Sequence, residues 1–147
     1  MHTTITAGQV LRSKGHQYWS IAPSATAYEA LELMAEKNVG ALLVMESGKL
    51  TGIFSERDYA RKVILKGKSS KNTTVGELMT SPPICIEPDR SIGECMVLMT
   101  NNHIRHVPVM DRELLIGVVS IGDIVNTIIS EQETTIQELE SYITVGY

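Results

Sequence analysis

The chain has 147 residues, 43 % of them hydrophobic and 20 % charged, with a formal net charge of -4. That is enough apolar residue for a packed core, in one compact domain or two small interdependent halves, and it argues against a disordered chain. The acidic balance argues against a nucleic-acid partner, and no apolar run approaches the roughly 20 residues that span a bilayer.

In chain order, Met1-His2-Thr3-Thr4-Ile5-Thr6 lacks the basic and then apolar build of a signal peptide. Ser20-Ile21-Ala22-Pro23 reads as an extended piece ended by its proline, since the residue before a proline avoids the helix. Ser24 is the candidate N-cap of a helix carrying Ala27, Ala30, Leu31 and Met34 at helical spacing. A strand over residues 41–45 turns at Glu46-Ser47-Gly48-Lys49 into a second, from Leu50 to Phe54, and a helix from about Glu56 to Leu65 follows. Residues 66–73 are polar, basic and turn-rich.

The same order then returns. Cys85-Ile86-Glu87-Pro88 is the extended piece and Asp89 the candidate N-cap. Ile92, Cys95, Met96 and Met99 mark the helix, Val107 to Met110 and Leu114 to Val119 the hairpin, and a helix runs from about Ile121. The tail from Glu131 to Tyr147 carries Ile136, Leu139 and Ile143 at helical spacing, a terminal helix with one apolar face.

Sliding the chain by 65 positions superposes the two copies without a gap: Pro23 on Pro88, Met34 on Met99, Gly52 on Gly117, Ser55 on Ser120, Asp58 on Asp123. The expected organisation is a first repeat with the N-terminal segment (1–66), a linker (67–74), a second repeat (75–130) and a helical tail (131–147). A unit of this size buries little surface alone, so the two are expected to pack into one pseudo-twofold body. Cys85 and Cys95 form no C-x-x-C pair and sit among apolar residues, which predicts buried free thiols and fits a reducing cytoplasm.

A proline-ended strand, a helix with Ala30 and Met34, a hairpin, and then Gly52-Ile53-Phe54-Ser55-Glu56-Arg57-Asp58, answered by Gly117-Val118-Val119-Ser120-Ile121-Gly122-Asp123, resembles the cystathionine-beta-synthase (CBS) domain. Ile104-Arg105-His106-Val107-Pro108-Val109 is similar to the segment that many such repeats place against a nucleotide phosphate. The resemblance covers nearly the whole chain. It implies an α/β fold of two β-α-β-β-α repeats, a tandem pair or Bateman module of the stand-alone bacterial type. It further implies clefts between the repeats that bind AMP, ADP, ATP, NAD(H) or S-adenosylmethionine, a homodimer, and a regulatory role toward another protein without catalysis or a catalytic cofactor.

On that footing each candidate residue has a task. Asp58 and Asp123 are suited to the ribose, because a carboxylate can accept both diol hydrogen bonds. Ser55 and Ser120, at helix starts, can donate to a phosphate that also feels the helix amides. Arg57 at the first site, and Arg105 and His106 at the second, add charge. Val39, Ala41 and Leu42, with Ile104 and Val107, offer apolar edges to the base; Gly40 and Pro108 belong to the same segments, and backbone near Tyr18 or Ile84 could meet the adenine rim. Arg57 aligns with Gly122, and Arg105-His106 with Gly40-Ala41, so the two sites are expected to differ.

Other readings compete. Ser-x-x-Asp is also a capping box that needs no ligand. Ser120, His106 and Asp123 could be arranged as a hydrolytic triad, but the first repeat has Ala41 where His106 stands and no nucleophile elbow is present. His103 and His106 alone make a weak metal site. The basic run Arg61, Lys62, Lys66, Lys68 and Lys71 reads as a solvated helix end and linker. Trp19 is either a packed anchor or a wall of the first site. The alternative function is a dimeric interaction module with vestigial clefts.

Overall fold

A computed structural model describes residues 5–145. By contacts the chain divides into two units: residues 17–84, and residues up to 16 together with those from 85 onward.

In the first unit, β1 (Ser20–Ile21) lies parallel to β2 (Ala41–Glu46), which pairs antiparallel with β3 (Lys49–Ser55). The hairpin turns through Ser47 and Gly48, both at positive φ, where glycine meets no steric penalty. Helix α2 (Ala27–Lys37) covers the sheet, burying Ala27, Ala30 and Met34 against Leu42, Val44 and Phe54. After β3 comes a single helical turn, α3 (Glu56–Tyr59), which widens into a π-helical stretch over Ala60–Ile64 and buries Val63. A short helix, α4 (Val75–Leu78), completes this core with Val75 and Leu78.

The second unit repeats the plan. Helix α5 (Ile92–Asn102) covers the hairpin of β4 (His106–Asp111) and β5 (Leu114–Ser120), with Ile92, Cys95 and Met99 against Val107, Val109 and Val119. Ile86 bridges Val109 in parallel, as β1 pairs with β2 in the first unit. The β-bulges fall at Val44/Met45 and Val109/Met110, the same place in both copies. Helix α6 (Ile121–Val145) runs unbroken from the repeat's closing helix into the tail, so the terminal segment is no separate element; nothing between Ser130 and Glu131 would break a helix. Residues 146 and 147 of the expected tail lie outside the described residues.

Two expectations change. The N-caps of α2 and α5 are Thr26 and Ser91, each in a capping box with Glu29 or Glu94, and not Ser24 and Asp89. Ser24 and Asp89 sit inside tight turns closed by Ala25 N–H to the Ala22 carbonyl (3.1 Å) and Arg90 N–H to the Glu87 carbonyl (3.2 Å), which delays each helix by two residues. The second change concerns the N-terminal helix α1 (Ala7–Lys14), which belongs with the second repeat's elements and buries Ala7, Val10 and Leu11 in that core. Its counterpart in the first unit is α4. Gly8 donates to the Pro88 carbonyl and Gly76 to the Pro23 carbonyl, both at 2.8 Å. Thr6 and Thr74 cap the two helices alike, with Gln9 and Glu77 closing the capping boxes.

Candidate functional site

Both Ser-x-x-Asp motifs sit where a strand ends and a helix begins, and both are realised as capping boxes. Ser55 N–H donates to Asp58 Oδ2 (3.0 Å) and Asp58 N–H donates to Ser55 Oγ (3.2 Å). Ser120 and Asp123 make the same pair at 2.8 and 3.1 Å. The first helical amides are also satisfied internally: Glu56 N–H by the Gly40 carbonyl (3.0 Å) and Ile121 N–H by the Arg105 carbonyl (2.8 Å). Gly40 and Arg105 thus tie the strand-entry segments to the helix heads, and the amides of Glu56 and Asp58, Ile121 and Asp123 already have partners. The Ser55 hydroxyl is engaged too, since its Oγ also donates to Asp58 Oδ2 at 3.1 Å.

Around each aspartate the unit gathers further groups. At Asp58, Oδ1 faces Lys62 Nζ (3.3 Å) and accepts from Thr80 Oγ1 (3.5 Å); Lys62 also donates to the Leu78 carbonyl (2.9 Å). Thr80 is held there by a two-way backbone bridge to Ile53 on β3. At Asp123, Oδ2 accepts from Lys14 Nζ at 2.6 Å, a charge-assisted bond from the last residue of α1. His16 then donates from Nδ1 to the Ile116 carbonyl (2.8 Å), and Ser81 makes the matching contact to the Thr51 carbonyl (2.7 Å). The 65-residue register explains why the two lysines differ: Lys62 aligns with Thr127, which instead donates to the Asp123 carbonyl (2.8 Å).

The electrostatics follow from these contacts. Burial pushes the Asp123 carboxyl upward, but the hydrogen bond from Lys14, the Ser120 amide and the Lys14 charge outweigh it and hold the group below the ordinary carboxylate range. His106, half-buried at the head of β4, is pushed below the usual imidazole value by burial; Asp123 opposes that shift, while Lys14 and Arg105 add to it. The imidazole is therefore mainly neutral at pH 7, and the formal charge beside Asp123 comes from Lys14 and the exposed Arg105.

The remaining sequence candidates divide by burial. Val39, Gly40, Ala41, Ser55, Asp58, Ile84, Ile104, Ser120 and Asp123 are half-buried, and Arg57 is exposed. Leu42 and Val107 are fully buried core side chains, and Pro108 beside Val107 is buried as well, so what Leu42 and Val107 present outward is backbone. Trp19 packs against the first core with Lys37 Nζ 4.4 Å from its ring centre, an anchor of that unit. His103 is the left-handed C-cap of α5, and among the described residues no three His, Cys, Asp or Glu side chains cluster as metal ligands would. Cys95 is buried and Cys85 half-buried, and neither is in a disulfide. The sequence does not single out Lys14 or Thr80, and Lys62, read there as part of a solvated basic run, instead pairs with Asp58 and the Leu78 carbonyl. The i,i+4 spacing of Asp58 and Lys62 is visible in the chain, whereas Lys14 reaches Asp123 only through the placement of α1.

Comparison with known proteins agrees with this geometry. The CBS-domain model matches twice, over residues 13–65 and 75–130. The Arabidopsis thaliana mitochondrial CBS domain-containing protein CBSX3 is 41 % identical over 97 % of this chain and 73 % of its own length. A putative signal-transduction protein with CBS domains from Burkholderia ambifaria superposes with a TM-score of 0.84 at 46 % identity, covering 86 % of this chain and 96 % of the other. The CBS pair of MJ0100, solved with 5'-methylthioadenosine and S-adenosyl-L-methionine, shares the fold at TM-score 0.75 and 23 % identity, over 86 % and 97 % of the two chains. Two matched repeats, each with its Ser-x-x-Asp at the head of a helix, place the chain in the CBS-domain family as a tandem pair.

Proposed function

We propose that the protein is a regulatory sensor of adenine nucleotides, with AMP, ADP, ATP or NAD(H) recognised around Asp58 and Asp123. The observation that carries this reading is the pairing, in both units, of a helix-head aspartate with a lysine ammonium: Asp58 with Lys62, Asp123 with Lys14. A carboxylate is the acceptor that a ribose diol needs, and an ammonium beside it is the donor that a phosphate needs. The capping box by itself would require neither lysine. The adenosine-type ligands that accompany MJ0100 support the ligand class for the shared fold.

Ligand binding acts in this reading by favouring one of two conformations, which a partner protein distinguishes. The protein works as a homodimer in the cytoplasm and performs no catalysis. In support of self-association, α6 exposes Ile129, Ile136, Leu139 and Ile143 along one face, a larger apolar stripe than a solvated helix carries. Among the described residues, no helix is long and apolar enough to cross a membrane.

The test is a thermal-melt panel on stripped protein with AMP, ADP, ATP, NAD⁺, NADH, S-adenosylmethionine and a guanine nucleotide as control. A ligand at 100 times its dissociation constant adds about 2.7 kcal/mol, a rise of roughly 3–6 °C for a chain of this size. Selective rises with adenine ligands, lost on Asp58→Asn or Asp123→Asn, support the sensor. A flat panel with folded protein turns the reading to a nucleotide-independent interaction module.

A further inference from the structure

We infer that Lys14 makes the Asp123 site selective for phosphorylated adenosine ligands over the neutral nucleoside. The inference rests on the nucleotide reading above and adds a residue from outside both Ser-x-x-Asp motifs. Lys14 Nζ lies 2.6 Å from Asp123 Oδ2, with the two side chains 31 % and 21 % exposed. A ribose diol that takes this carboxylate must therefore displace an ammonium already bonded to it. A neutral nucleoside leaves that ammonium without its partner in a partly desolvated place, which costs affinity. A ligand bearing a phosphate returns an anion to it, so the exchange is nearly even for nucleotides and unfavourable for adenosine.

The surroundings permit the exchange. Lys14 borders an open groove of about 740 Å³ between α1 and α6, lined also by Arg12, Asn126, Thr127 and Ser130, so its ammonium can swing off Asp123 without meeting packed side chains. Besides Lys14, the head of the second repeat offers a phosphate the exposed Arg105, whereas His106 is held toward its neutral form by burial and Gly122 stands where the first repeat has Arg57. At Asp58 the lysine is differently placed, since Lys62 also donates to the Leu78 carbonyl and is anchored to its own unit. The first site accordingly lacks an ammonium held by the carboxylate alone.

The experiment is calorimetric titration of the full chain with AMP and with adenosine, for wild type, Lys14→Met and Lys14→Arg. The expected result is that Lys14→Met lowers the ratio of AMP to adenosine affinity at the tighter-responding site by about fivefold or more, while Lys14→Arg preserves it. Should Lys14→Met melt too early to titrate, Lys14→Gln, which keeps a donor to Asp123 without the charge, replaces it with the same expectation. An unchanged ratio in a variant that binds both ligands overturns the role of Lys14 and leaves the nucleotide reading standing. Failure of wild type to bind AMP, adenosine or any adenine ligand of the melt panel overturns both.

Discussion

The backbone at Gly52 lies so close to Met79 that a Cβ placed there would stand 2.6 Å from the methionine sulfur and 2.9 Å from the Thr80 carbonyl oxygen. Gly117 stands in the same relation to Leu11, whose methyl carbons would be 2.8 and 3.0 Å away. The glycine that opens each Gly-h-h-Ser-x-x-Asp motif is thus the seat on which Met79 at the end of α4, or Leu11 within α1, rests. Gly52→Ala is expected to cost about 1–3 kcal/mol, the ordinary penalty of overpacking. Gly117→Ala should cost at least as much: the added methyl meets only the movable end of Leu11, but at φ 159° the backbone itself disfavours a side chain. Urea denaturation of the two variants checks the order, and a smaller cost at Gly117 would show that the backbone there relaxes.

Removing residues 1–15 should damage the second repeat and spare the first. Ala7, Val10 and Leu11 are nearly or wholly buried in the core of Ile92, Cys95, Val109 and Val119. Losing three such side chains is worth several kcal/mol at about 1.5–3 kcal/mol for each large one. Hydrogen exchange on the truncated chain is expected to show α5, β4 and β5 deprotected while β2 and β3 keep most of their protection. Uniform protection would mean that α1 is dispensable.

Capping and recognition can be separated at the aspartates. Asp58→Asn keeps an oxygen that can accept from Ser55 N–H, whereas Asp58→Ala removes the cap interaction altogether. The alanine variant should lose about 0.5–2 kcal/mol of stability and the asparagine variant less. Both should weaken adenine-nucleotide binding. If Asp58→Asn binds as wild type does, the carboxylate serves the helix and not a ligand.

Stability should fall on mild acidification through His106. Its folded-state value lies below the ordinary 6.5 of an imidazole because burial disfavours the charged ring. The unfolded chain therefore takes up the proton first, and stability is lost as the pH drops from about 6.5 toward the folded value. Asp123, also depressed, loses its contribution only at lower pH, below the ordinary carboxylate range. His106→Gln should flatten the melting temperature between pH 5 and 7, on the order of one unit either side of the imidazole range. A wild-type profile already flat there would remove the imidazole from this account.

Self-association should depend on α6. Ile136 and Leu139 are more than half exposed on a helix whose residues 121–145 include no lysine or arginine. The double substitution Ile136→Lys, Leu139→Lys removes only exposed apolar surface, so the fold should survive. Sedimentation is expected to show a shift from dimer toward monomer, and an unchanged assembly would place the interface elsewhere.

The duplicated plan is legible in the amino-acid sequence because its signals are local. The Pro23/Pro88 stops, the helical spacing of Ala30 and Met34 and the turn at Ser47-Gly48 each act within a few residues. The likeness of Asp58 to Asp123 is legible too, since it needs only the constant 65-residue step. The allegiance of α1 is not. Thr6-Ala7-Gly8-Gln9-Val10-Leu11 matches Thr74-Val75-Gly76-Glu77-Leu78-Met79 at a step of 68, out of register with everything after Ile21, and its hydrogen bonds run to Pro88 and Arg90, some eighty residues on. Nothing in a helix's own periodicity says which of two similar sheets will bury its apolar face. That choice is made by the nonlocal fit of Gly8 against Pro88 and Leu11 against Gly117, and it is what brings Lys14 to Asp123.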